Sequence, residues 1–264
     1  MKFGENFRRY DVSDHTFFYQ NPQVYFGYTS DGLQNFADGV AFRYRRAKNI
    51  ASDVPIALWG MGAYAHDDWR AAPNLRITLG LRLEHNSNPV CQFDCFANFK
   101  VPFAQLASFT NADPGSVPYS ADIDYGRHQA YQSSDVLNVL PSVAFSWSPS
   151  KDSKTVVSGG FGLFFDNAAS TLANDLLSNP PTAARINVQP PAGVLPFDPG
   201  PSGGEAIFHA SANAFSVNKT FSQISSELKA LGSSFSVPNF NSVEGTIHSP
   251  RVFQWNFQVQ LQLG

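Results

Sequence analysis

Long runs of strictly alternating apolar and polar residues constrain this chain more than any other feature. In NLRITLGLRLE, Leu75, Ile77, Leu79, Leu81 and Leu83 share one face of an extended backbone. Arg76, Thr78, Gly80, Arg82 and Glu84 share the other. VFQWNFQVQLQL repeats the split, with Phe253, Trp255, Phe257, Val259, Leu261 and Leu263 against Gln254, Asn256, Gln258, Gln260 and Gln262. A period of two is the signature of a strand with one buried face, and a helix does not produce it. Ordinary strands run about 5–6 residues, whereas crossing a membrane as a barrel strand takes about 9–11. These runs have the second length.

IALWGMGAYAHDDW carries the same argument further. Trp59 and Trp69 fall on one face of a strand. At about 3.3 Å per residue and a tilt near 40°, their separation projects to about 25 Å, the height of a lipid-facing apolar band between two aromatic girdles. Trp147 and Trp255 lie on comparable runs, so all four tryptophans are expected in the aromatic girdle. On the opposite parity, Arg76, Arg82, Glu84, Gln254, Asn256, Gln258 and Gln260 are expected to face a lumen, where they line a path or hydrogen-bond what fills it.

Composition agrees. Only 15% of residues are charged, against about 25% in an average soluble domain, and the mean hydropathy of −0.20 suits strands that alternate. No apolar stretch of about 18 residues exists for a membrane helix. The net charge of −3 lacks the basic footprint of a nucleic-acid partner. Runs at 2–12, 22–29, 36–46, 56–69, 74–85, 138–148, 154–165 and 251–263 read as about eight strands. Short turns at 71–74 and 148–154 and long loops at 86–137 and 166–250 fit periplasmic turns and extracellular loops. In the second loop, SQISSELKALG reads as a helix with Ser222 as N-cap and Gly232 past its end. The Pro- and Gly-rich stretch 179–204 is expected to lack regular structure.

Chemistry-bearing motifs are few. Cys91 and Cys95 are disulfide candidates, a small clip in an oxidising compartment being preferred over free thiols. Their spacing makes a poor zinc site. His66 and Asp68 point opposite to Asp67 on a strand, so they cannot converge on a metal. GMGAYA lies inside a strand leading to a turn, not at the strand-to-helix junction a dinucleotide loop needs. Six scattered histidines (His15, His66, His85, His128, His209 and His248) have no ligand spacing. No cofactor, no metal and no enzymatic activity are expected.

Several segments resemble a known family. AYAHDDWRAAPNLRITLGLRLE resembles the barrel signature of TonB-dependent receptors, particularly the Oar-like group of Acidobacteria. Tyr64, Asp67, Asp68, Trp69, Arg70, Pro73, Leu75, Gly80, Leu81, Arg82 and Glu84 match it; His66 and Leu83 depart from it. VLPSVAFSWSPSKDSKTVVSGGFGLFFDN and SPRVFQWNFQVQLQLG resemble its next hairpin and a later strand, in the family's order.

The resemblance implies an all-β, antiparallel transmembrane outer-membrane barrel with long extracellular loops. Residues 1–264 would form a partial barrel domain without a plug, and the first residues are too polar for an export leader, which is expected upstream. It implies active uptake of a siderophore, glycan or peptide, with outer-membrane lipid and an unknown transported ligand as partners. The TonB complex would be reached only through a plug domain that these residues lack. Two other readings stand beside it: an autonomous eight-stranded outer-membrane barrel with a structural or adhesive role, and a secreted carbohydrate-binding β-sandwich.

Overall fold

The computed structural model describes residues 1–14, 21–27, 31–49, 53–107, 113–150, 154–166, 169–235 and 240–262. Its strands, numbered along the chain, fall into two groups. Six long ones build a wall: β1 (Lys2–Asp14), β4 (Val54–Ala72), β5 (Leu75–Asn86), β10 (Asn138–Trp147), β11 (Thr155–Phe165) and β15 (Arg251–Leu261). The others are short: β2 (Gln23–Tyr25), β3 (Arg43–Lys48), β6 (Val90–Cys91), β7 (Phe96–Phe99), β8 (Ile123–Arg127), β9 (Ser133–Ser134), β12 (Ala184–Val188), β13 (Ser233–Phe235) and β14 (Thr246–Ile247). Among the described residues four α-helices accompany them: α1 (Asp31–Ala37), α2 (Ala169–Leu176), α3 (Gly204–Ala214) and α4 (Phe221–Ala230).

The wall strands pair antiparallel in chain order, β1-β4-β5-β10-β11-β15. This meander puts two short connections, β4 to β5 and β10 to β11, at one rim. Asn74 and Ser148, one from each, bond reciprocally there at 2.9 Å. The three long connections all leave from the other rim. They fold together into a head, in which β13-β12-β3-β2 form a second sheet, β7 pairs with β8, and β9 pairs with β14.

Six wall strands replace the eight expected. Residues 22–29 and 36–46 do not join the wall: β2 and β3 pair with each other in the head, with α1 between them. Their alternation is short, and RYRRAK is too charged to cross lipid. A third long connection thus joins the two anticipated. The stretch 179–204 also departs from expectation, because β12 forms within it and pairs with both β3 and β13. Helix α4 starts two residues earlier than the sequence suggests. Thr220 rather than Ser222 caps it, exchanging bonds with Gln223 in a capping box, and Gly232 follows it at φ +65°. The capping-box partner three residues on decides between two candidate caps. His15 and Leu263 lie outside the described residues.

Buried apolar packing sits in the head. One cluster joins Val54 and Ile56 of β4 to Cys91, Cys95, Phe96, Tyr131, Leu176 and Leu177. A second packs Tyr44, Ile186 and Val188 against Phe208 of α3, and a third gathers Phe215, Ile224 and Leu228. Strand β4 serves both parts. Its 19 residues span roughly 60 Å at about 3.3 Å each, more than a membrane crossing requires, and its first residues become head core. The wall has no such core: on β15, Phe253, Trp255 and Phe257 are 66%, 78% and 64% exposed.

Because these cores are separate, Leu176→Ala should cost the head about 2–5 kcal/mol and leave the wall intact. Limited proteolysis in detergent would show this as faster cleavage of 87–137 and 166–250 with the wall fragments still protected.

Candidate functional site

The register sorts the wall side chains into two faces. Pairing of Trp69 with Ile77, Ile77 with Phe145, Phe145 with Gly159 and Gly159 with Phe257 carries one face across five strands. The same parity holds Leu75 to Leu83, Trp59, Trp147 and Trp255, so all four tryptophans share it. Trp147 ends β10 and Trp69 lies three residues before the end of β4, both towards the short turns, and Trp59 lies at the head side. Trp255 is not at a rim. It pairs with Phe161, four residues along the strand from the Val157–Val259 pair that continues the Trp147 row. It therefore belongs to the apolar band rather than to a girdle, because β15 runs on past it to Leu261.

The opposite face holds Arg76, Arg82, Glu84, Gln254, Asn256, Gln258 and Gln260, in two patches. Arg76 lies in a row with Ser146, Ser158 and Gln258. Small residues, Gly80, Ser142 and Gly162, fill the middle of this face on three strands and lead across to Gln254 on the fourth. Arg82 and Glu84 form the other patch, where their side chains pair with each other. Arg82 also reaches across β4 to donate to Asn6 Oδ1 of β1 at 3.0 Å. The crossing is possible because Gly62 lies between. A Cβ there would meet Asn6 Oδ1 at 2.6 Å and Arg82 Nη2 at 3.1 Å. Asn6 and Gly62 were not legible as a site, since the glycine reads only as a small residue in a strand. Asp68 accepts from Thr78 at 2.7 Å on this face, while Asp67 lies on the tryptophan face.

In the head, Cys91 and Cys95 are joined by a disulfide, and Asp94 between them takes φ +51° and pairs with His128 at 3.0 Å. His209 pairs with Glu205, and His248 with Asp135. These pairs are scattered, and no group of three or more metal-ligating side chains occurs among the described residues. Burial pushes the Tyr119 and Tyr131 phenols up to about 12, and the Tyr119 hydroxyl is buried without a partner among the described residues.

Two outcomes follow from this geometry. Gly62→Val should break the Arg82–Asn6 bond and cost about 1–3 kcal/mol, read as a lower unfolding temperature of the wall, with Asn6→Ala giving a smaller loss. The raised tyrosine values mean that the neutral phenols stabilise the fold fully below pH about 10, the unfolded value, and that this contribution disappears as pH rises through about 12. Phenolate absorbance should show a late-ionising class, diminished in Tyr131→Phe.

A model of the family described as outer membrane beta barrel domain matches residues 1–264. No curated protein and no solved structure matches the chain. Sheet order, opposed faces and family match agree, and the chain belongs to the outer membrane β-barrel domain family, an antiparallel all-β protein of the Gram-negative outer membrane.

Proposed function

We propose that this chain is barrel wall and extracellular head of a TonB-dependent receptor for active uptake of a nutrient of the siderophore, glycan or peptide class. One observation carries the reading: a six-stranded wall is joined to a folded head built from three long connections on one rim. About eight strands are needed to close even the smallest barrels, so this wall is one arc of a larger cylinder. A larger cylinder has room for a plug, and the polar face of Arg82, Glu84 and the β15 glutamines is what such a plug or its water would meet. The tryptophan face contacts outer-membrane lipid, with Trp59 towards the head and Trp69 and Trp147 towards the periplasm as girdle residues. Coupling to the TonB complex runs through a plug that these residues do not include, and the chain does no covalent chemistry itself.

Against the autonomous eight-stranded barrel stands the strand count. Against the secreted sandwich stands β15, whose apolar face no second sheet covers among the described residues. Deleting the gene should abolish growth on one nutrient class to the same extent as deleting tonB. Uptake that survives loss of TonB, with the protein still in the outer membrane, would overturn the proposal.

A further inference from the structure

The tryptophan face of the wall is uneven at one end. Ala63 of β4 pairs with Glu5 of β1 on one side and Leu83 of β5 on the other, and Ala65 pairs with Phe3 and Leu81. Two methyl groups in succession thus floor a trough whose banks are the longer side chains of β1 and β5. The backbones of the two banks stand about 10 Å apart, at about 4.8 Å per strand. Towards the head the trough widens into a groove of about 600 Å³, lined by Phe7, Met61, Ala63, Leu83 and Leu137, with Glu5 on one bank. Phe7, Met61 and Leu137 are 67%, 51% and 51% exposed, so the groove is open.

Its length is that of one leaflet. Trp59 and Ala65 lie on the same face of β4, about 20 Å apart at about 3.3 Å per residue. At a tilt near 40° this projects to about 15 Å, somewhat over half of an apolar band about 25 Å tall. At the head end the His85 and Trp59 rings are 5.0 Å apart. At the other end the floor stops at Asp67, which pairs with the Met1 amino group at 2.9 Å.

Glu5 does not suit hydrocarbon. Its exposed carboxylate has no hydrogen bond or ion pair among the described residues. Arg9, further along the same face of β1, is held by Asp11. Strands β5, β10, β11 and β15 place no carboxylate on this face. A carboxylate set against lipid is costly unless a donor meets it. The groove therefore fits an occupant that is apolar along its length and carries a hydroxyl part of the way down. The acyl chains of common phospholipids have no such group. The hydroxyacyl chains of lipopolysaccharide do, and lipopolysaccharide forms the outer leaflet, on the side of the long loops.

We infer that this groove holds one hydroxyacyl chain of an outer-leaflet lipopolysaccharide, with its hydroxyl hydrogen-bonded to Glu5. The inference rests on the outward-facing head of the proposed receptor, but not on uptake. Purified protein, stripped of lipid in mild detergent, is incubated with lipid A or with a phosphatidylethanolamine whose chains lack hydroxyls, and adducts are counted by native mass spectrometry. One lipid A per chain should be retained, and phosphatidylethanolamine about tenfold less well, the worth of one hydrogen bond to a charged group. Ala63→Phe, which fills the floor, should remove the adduct. Glu5→Leu should bring lipid A down to the phosphatidylethanolamine level, and Glu5→Gln, which still accepts a hydrogen bond, should fall between. Val259→Phe, on the same face of β15, should change nothing. An unchanged protease pattern of the wall confirms that each variant keeps its fold. No retained lipid A, equal retention of phosphatidylethanolamine, or retention indifferent to Ala63→Phe or Glu5→Leu would each overturn the inference. Lipid A retention alongside nutrient uptake that needs no TonB would leave it standing and remove the transport reading.

Discussion

Backbone amide and carbonyl groups that cross hydrocarbon must be hydrogen-bonded within the protein, since lipid offers them no partner. The wall is organised by that demand. Each strand pairs with its neighbour in chain order, and the one shift in register, between Arg70 and Ala72, lies beside a short turn and beyond Trp69. The same demand bears on the two outer strands. The outer edges of β1 and β15 meet no further strand among the described residues, and in a membrane each of these edges needs a hydrogen-bonding partner. Loop lengths follow from this arrangement as well. A meander that pays for short turns at one rim is left to place every long connection at the other, where the connections can pack on each other.

The head obeys a different rule from the wall, although both use strands of period two. In the wall, one face meets lipid and the other meets water or protein, so exposure is high on both and no close-packed core forms. In the head, β3 and β12 turn one face to α3 and bury Tyr44, Ile186 and Val188. Strand β4 shows the change within a single element. Val54 and Ile56 are buried in the head, while Trp69, further along the strand, is exposed on the wall.

Legibility in the sequence tracked how far local pattern determines structure. Strands β4, β5, β10, β11 and β15 were readable because every second residue along a membrane crossing must suit lipid. The opposite faces of Trp69 and Arg82 followed from parity alone. The placement of β2, β3 and β12 is not legible in the sequence, because a short strand in a small sheet carries too few alternations to stand apart from loop, and its pairing is set by distant partners. The Arg82–Asn6 bond was equally hidden, as it depends on a register between β1 and β5 that passes across Gly62. For Trp255 the sequence gives the parity but not the height along the strand, so its place in the band is not legible there.

Charges on the tryptophan face show how the wall tolerates departures from its pattern. Arg9 and Asp11 of β1 share that face, but Arg9 pairs across from Trp59, at the head end of the band, and the two side chains bond each other at 2.9 Å. Asp67 lies one same-face step from Trp69, in the row that runs through Leu79, Val143 and Phe161 to Trp255, and it pairs with the Met1 amino group at 2.9 Å. Charge costs least near the interfaces and most at the midplane, and less for a carboxylate than for Lys or Arg. Glu5, opposite Ala63, is a second carboxylate of this face set within the apolar band. It belongs to β1, the outermost strand, where an adjoining strand would stand beside it and limit its contact with lipid.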